Sequence, residues 1–161
     1  MKKIILTAII CLMALPAFAA EPFQLSLVPD VALHSRSTRI DGVALSIWGE
    51  NPQSALALGI INGSSGDSAG FSWGFVNYAD NYTGVQWGLV NYNHHSFTGW
   101  QAGFVNASST MTGLQTGFIN YADTAQPGLQ IGLINVIKRN QWFNEMPNGL
   151  APVFPIVNWR F

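Results

Sequence analysis

Between Ala55 and Val136 the chain returns six times to one short phrase, and no other feature limits its fold as much. Residues 70–77 read GFSWGFVN, 84–91 GVQWGLVN, 99–106 GWQAGFVN, 113–120 GLQTGFIN and 128–135 GLQIGLIN. The first copy, ALALGIIN at 55–62, carries alanine in place of the leading glycine and of the glutamine. A fixed period of this kind outranks local propensity as a guide to architecture.

Within each copy, residues one, three and five places after the leading position are mostly large and apolar, and those between are glycine, glutamine or another small or polar group. A period of two is the mark of a β-strand, and a helix would mix these two sets on one face. The polar stretches that follow each asparagine supply turn chemistry. Each copy therefore reads as one strand and one turn.

The second glycines fall at 59, 74, 88, 103, 117 and 132, giving steps of 15, 14, 15, 14 and 15. Alternating steps suggest two kinds of turn, one at each end of an up-and-down antiparallel sheet, with a 29-residue hairpin as the unit. A degenerate strand at 42–48 and a final strand at 150–161 bring the number of strands to about eight. The expected fold is an all-β antiparallel up-and-down barrel, closed so that no strand edge is left open. Residues 20–41 form an N-terminal extension, in which 23–28 read as a short strand or a tether and His34, Arg36 and Arg39 as solvated linker residues.

Residues 1–19 have the pattern of a secretory signal peptide. Lys2 and Lys3 precede the apolar run from Ile4 to Leu15, and Ala17-Phe18-Ala19 is a small-residue cleavage site. The apolar run is too short to span a bilayer as a helix. Cys11, the chain's one cysteine, lies in this leader, so the mature domain (42–161 after its extension) is expected to lack disulfides. Export by a bacterial route follows, to the outer membrane or cell surface, or alternatively to the periplasm.

Charge narrows the function. Charged residues are 9% of the chain, and between Asn51 and Ile137 only Asp67, Asp80 and Asp123 carry charge, each between repeats. The usual share is near a quarter, so one strand face is expected to avoid bulk water. No basic stripe exists for a nucleic-acid partner. The large residues, among them Phe71, Trp73, Phe75, Trp87, Leu89, Trp100, Phe104, Phe118, Leu129 and Leu133, form either a membrane-facing band or an apolar-ligand face. Each is worth about 1.5–3 kcal/mol when withdrawn from water, so that face must be covered.

The opposite face carries Gln86, Gln101, Gln115 and Gln130 at one repeat position, a lumen ring of amides that binds a polar solute or satisfies its own hydrogen bonds. The recurrent asparagines read as turn residues. Lys138, Arg139, Trp142 and Phe143, in the longest connection, form an interfacial loop that anchors the chain or meets a partner. His94 and His95 are neighbours in a turn, with diverging side chains and no third ligand for a metal. No nucleophile elbow or phosphate loop is present, so neither an enzyme nor a cofactor is expected.

The repeated phrase, the exported N-terminus and the ending FPIVNWRF at 154–161 together resemble a group of uncharacterised bacterial surface-repeat proteins. Similar repeats are associated with shallow symmetric barrels described as β-flowers. The resemblance implies a closed all-β repeat but brings no activity. Ending on Phe161 is similar to outer-membrane barrels, which implies contact with the assembly machinery for such proteins. Two functions are expected. One is an outer-membrane-associated small barrel with a structural, surface-interaction or narrow-passage role and membrane lipid as its partner. The other is a β-flower-like periplasmic or surface module that binds a lipid or other apolar ligand.

Overall fold

The structure, a computed structural model, describes residues 20–140 and 152–161. Every regular element is a strand: β1 (Glu21–Val28), β2 (Val31–Ala32), β3 (Ile40–Asn51), β4 (Ser54–Trp73), β5 (Val76–Trp87), β6 (Val90–Ile137) and β7 (Val153–Arg160). All belong to one sheet, in the order β2-β1-β3-β4-β5-β6-β7. β1 pairs parallel with β3, so the N-terminal extension is part of the same sheet.

The pairing overturns the expected barrel. β3 to β6 run parallel to one another, and among the described residues antiparallel pairing occurs only at the two ends, β1 with β2 and β6 with β7. The chain is a mixed-sheet β-solenoid in which each repeat is one coil stacked on the last. With β2 and β7 as its ends the sheet does not close. The expected closed antiparallel barrel and its 29-residue hairpin unit are therefore corrected. The physical reason lies in the register: Gly70 pairs with Gly84, Asn77 with Asn91, and Gln86 with Gln101. Identical positions of a directional repeat sit side by side only when the strands run the same way.

The alternation of 15 and 14 also has a different origin. From leading glycine to asparagine the distance is seven residues in every copy, as in Gly70 to Asn77 or Gly99 to Asn106. From asparagine to the next glycine it is eight, seven, eight, seven and eight. The register slips within this second arc, between Ser64 and Asp67 and again opposite Ala79–Tyr82. One kind of corner thus takes an extra residue in every other coil, as a β-bulge does.

The interior is narrow. A Cβ on Gly88 would run into the Gly74 carbonyl oxygen of the preceding coil and lie 2.7 Å from Asn77 Nδ2. The leading glycines have a second constraint: Gly84 and Gly99 hold φ at +137° and +132°, a region that favours glycine. Small apolar clusters fill what remains, such as Ala79, Tyr82 and Phe97, or Met111, Ala122, Ala125 and Ile137. Among the described residues more polar than apolar side chains are buried, so hydrogen bonding rather than an oily core fills the coils.

Candidate functional site

Two sets of repeat residues end up on opposite sides of the coil wall. The inward set forms two ladders along the solenoid axis. Asn62, Asn77, Asn91, Asn106 and Asn120 each donate an amide N–H to the Oδ1 of the asparagine one coil on, at 2.8–2.9 Å. The same Nδ2 of Asn77, Asn91, Asn106 and Asn120 also donates to a backbone carbonyl, of Trp87, Ala102, Thr116 and Ile131 respectively. The asparagines are thus buried structural members, a role beyond the expected turn chemistry.

The second ladder is glutamine. Gln101 donates to Gln86 at 2.9 Å, Gln115 to Gln101 at 2.7 Å and Gln130 to Gln115 at 2.8 Å. All four are buried. The structure places them in a column within the coils, not in a ring around a lumen. The amide N–H groups of Gln101, Gln115 and Gln130 also donate to Asn93 Oδ1, Tyr121 O and Val136 O respectively, so the column works as an internal strut.

The outward set builds a broad apolar surface. Trp73, Phe75, Trp87, Leu89, Phe104 and Leu133 are each more than half exposed, Trp100 and Phe118 only slightly less, and Phe71 and Leu129 are half-buried. Register aligns them in columns: Phe71 beside Val85 beside Trp100, and Trp73 beside Trp87 beside Ala102. Phe104 and Phe118 stack with ring centroids 4.8 Å apart and planes 7° from parallel. The Trp100 ring lies 6.3 Å from that of Trp87 and its Nε1 donates to Thr116 Oγ1 at 2.8 Å, so the indole leans along the surface. A shallow groove of about 460 Å³ runs over Gly74 and Gly88 between Trp73 and Trp87 on one side and Phe75 and Leu89 on the other.

Charge keeps to other parts of the molecule. Asp67, Asp80 and Asp123 sit on the asparagine-to-glycine arc, where they accept hydrogen bonds from Asn81, the Gly66 amide and the Tyr121 hydroxyl. Lys138 lies 3.8 Å from Asp123, and Arg139 is exposed at the C-terminal end. Trp142 and Phe143 lie outside the described residues.

Sequence reasoning missed a polar cluster beside the first coils. Arg36 donates to Glu50 Oε1 at 2.7 Å, the Tyr78 hydroxyl donates to Glu50 Oε2 at 2.5 Å, and Trp48 Nε1 donates to the Tyr78 oxygen at 3.1 Å. Burial, reinforced by the bond to Glu50, pushes the Tyr78 hydroxyl up to about 12. The bond to Glu50 likewise raises Arg36. These four residues are brought together by coil stacking, and no local motif marks them. Arg36 and Arg39, expected as solvated linker residues, are solvent-accessible and also form surface ion pairs with Glu50, Asp30 and Asp41. The rings of His94 and His95 do not diverge: their centroids are 4.4 Å apart, edge to face. Among the described residues no three His, Cys, Asp or Glu side chains are grouped to hold a metal.

The fold and its outward surface define a β-solenoid with an amide-laddered interior and an apolar face. Comparison with protein families, with curated proteins and with solved structures finds no match to this chain.

Proposed function

We propose that this chain is an exported, non-catalytic interaction module that works by docking its apolar face against another apolar surface. One observation carries this reading: rows of half-exposed tryptophan, phenylalanine and leucine stand in register on one side of the solenoid, with no charged residue among them. Contiguous exposed apolar surface of this extent marks an interaction site in a stable protein. The interior supports the same reading, because Gln101, Gln115 and Gln130 each donate an amide N–H to the glutamine one coil back, a structural use of these side chains. Export rests on the leader-like residues 1–19, which lie outside the described residues.

The test is a variant carrying Trp73→Gln, Trp87→Gln and Phe104→Gln together. These side chains are exposed, so the fold is expected to survive, as circular dichroism would report. Self-association and flotation with phosphatidylcholine vesicles should both be measured for the native chain and the variant. The variant is expected to lose whichever of these associations the native chain shows. A folded variant that keeps them all would sink the reading.

A further inference from the structure

The asparagine-to-glycine arc, away from the apolar rows, holds a pocket of about 200 Å³ lined by Glu50, Ser65, Tyr78, Asp80, Tyr92 and His94. These residues belong to two columns. One residue after each ladder asparagine the chain reads Gly63, Tyr78, Tyr92, Ala107, Tyr121 and Val136. Three residues after, it reads Ser65, Asp80, His94, Ser109, Asp123 and Lys138. Register sets Glu50 beside Gly63, Gly63 beside Tyr78 and Tyr78 beside Tyr92. A Cβ on Gly63 would lie 2.5 Å from Tyr78 Cζ, so glycine there lets the tyrosine ring lie over the coil and reach Glu50. Tyr92 is 46% exposed, with its hydroxyl 3.4 Å from His94 Nδ1.

The two carboxylates of the pocket differ in what meets them. Glu50 is occupied on both oxygens, by Arg36 and by the Tyr78 hydroxyl. Asp80 accepts only the Gly66 amide, at 2.9 Å on Oδ2, and among the described residues no cation lies within ion-pair distance of it. The same two columns show, five coil positions along, what such a carboxylate takes. There the Tyr121 hydroxyl donates to Asp123 Oδ1 at 2.7 Å, and Lys138, the next member of the column, brings Nζ to 3.8 Å from the same oxygen. Beside one tyrosine–aspartate pair the chain thus supplies its own ammonium. Beside Tyr78 and Asp80 the next member is His94, and no ammonium of the chain is present.

We infer that this pocket binds a primary ammonium group from outside the chain, with Asp80 as its counter-ion and the Tyr78 and Tyr92 rings beside it. An ammonium carries three donors and no acceptor, and the Asp80 carboxylate and Ser65 hydroxyl are acceptors lining the pocket. Tyrosine rings add attraction for a cation near their faces. The volume lies below the roughly 300 Å³ at which pockets for larger ligands begin, so it suits an ammonium on a short alkyl stem. A lysine-like amine and an amino alcohol share that chemistry. The site lies on a different face from the aromatic rows and does not rest on the docking-face reading.

Titration with n-butylammonium and with ethanolammonium, followed by backbone amide NMR shifts, tests this. The expected result is saturable shifts that include the Gly66 amide, with a dissociation constant of about a millimolar. The tighter of the two amines identifies the carrier, and either order supports the site. n-Butanol, which has the same stem without the charge, should produce no saturable shift. Asp80→Asn should weaken amine binding by about tenfold, through loss of one hydrogen bond to a charged group. Tyr92→Leu should weaken it by about threefold. His94→Lys places the chain's own ammonium beside Asp80, as Lys138 stands to Asp123, and should eliminate binding. The same spectra report whether each variant is folded. Absence of saturable shifts with both amines overturns the inference, as does equal binding of n-butanol. A folded Asp80→Asn or His94→Lys variant that binds like the native chain overturns it too.

Discussion

Each asparagine of the inner ladder connects three places at once. Asn106 accepts from Asn91 Nδ2 at 2.8 Å and donates to Thr116 O at 3.0 Å and to Asn120 Oδ1 at 2.8 Å. A buried hydrogen bond contributes only about 0.5–1.5 kcal/mol net, but a buried group left without a partner costs about 1–3 kcal/mol. Asn106→Ala strands a donor on Asn91 and acceptors on Thr116 and Asn120, so it should lower stability by about 3 kcal/mol or more. Asn135 is the last rung and passes no bond to a further asparagine, donating instead to Gly132 O and Phe154 O. Asn135→Ala should therefore cost less than Asn106→Ala. Urea titration of both variants checks the order, and equal losses would show that the rungs do not act through their neighbours.

At the scale of the strand, the leading glycine controls how closely coils stack. In Gly99→Ala the new methyl group would meet the Gly84 carbonyl oxygen while the backbone holds a φ of +132°. Neither problem can be relieved without shifting a coil, so this variant is expected not to reach the native fold, as measured by soluble yield and circular dichroism. A native-like spectrum and unfolding midpoint would contradict the packing. Much of each strand was legible in the sequence: the period of two, the glycine and glutamine side set against the aromatic side, and the strand at the C-terminus. The direction of neighbouring strands was misread because step lengths count residues without saying where the extra one is placed. The identity of the aligned residues held that information. Gln101 can hand its amide to Gln86 and take one from Gln115 only if the strands are parallel and in register. The Glu50–Tyr78 contact was not legible at all, since it joins residues 28 apart through the third dimension.

Taken whole, the molecule is a stack in which each coil pairs with its neighbours, and Tyr78 reaches over Gly63 to Glu50 two coils away, so stability is distributed mainly along one axis. Removing residues 91–119 deletes one long and one short coil and leaves Val90 followed by Asn120, the same junction that Val90 makes with Asn91. The shortened chain is expected to fold, with a smaller urea m-value because it exposes less surface on unfolding. Removing 91–105 alone would place two short arcs in succession where the native chain alternates, and should be tolerated less well. Equal stability of the two deletions would mean that the alternation of corners has no structural role.

The reversed strand β7 gives this stack an end. Parallel in-register strands joined by ladders of identical amides offer the next strand the same template that they received, and nothing in such a lattice limits its length. β7 lies antiparallel on the last coil, pairing Ile131 with Val157 and Gly132 with Ile156, and so presents a strand of opposite polarity and unrelated sequence. The one amide there in register with the glutamine ladder, Asn158 opposite Gln130, is turned to other partners: it accepts from Asn140 Nδ2 and donates to the Asn135 and Pro152 carbonyls. The chain thus shares its internal bonding with cross-β fibres and carries, in its last strand, the element that stops it from growing into one.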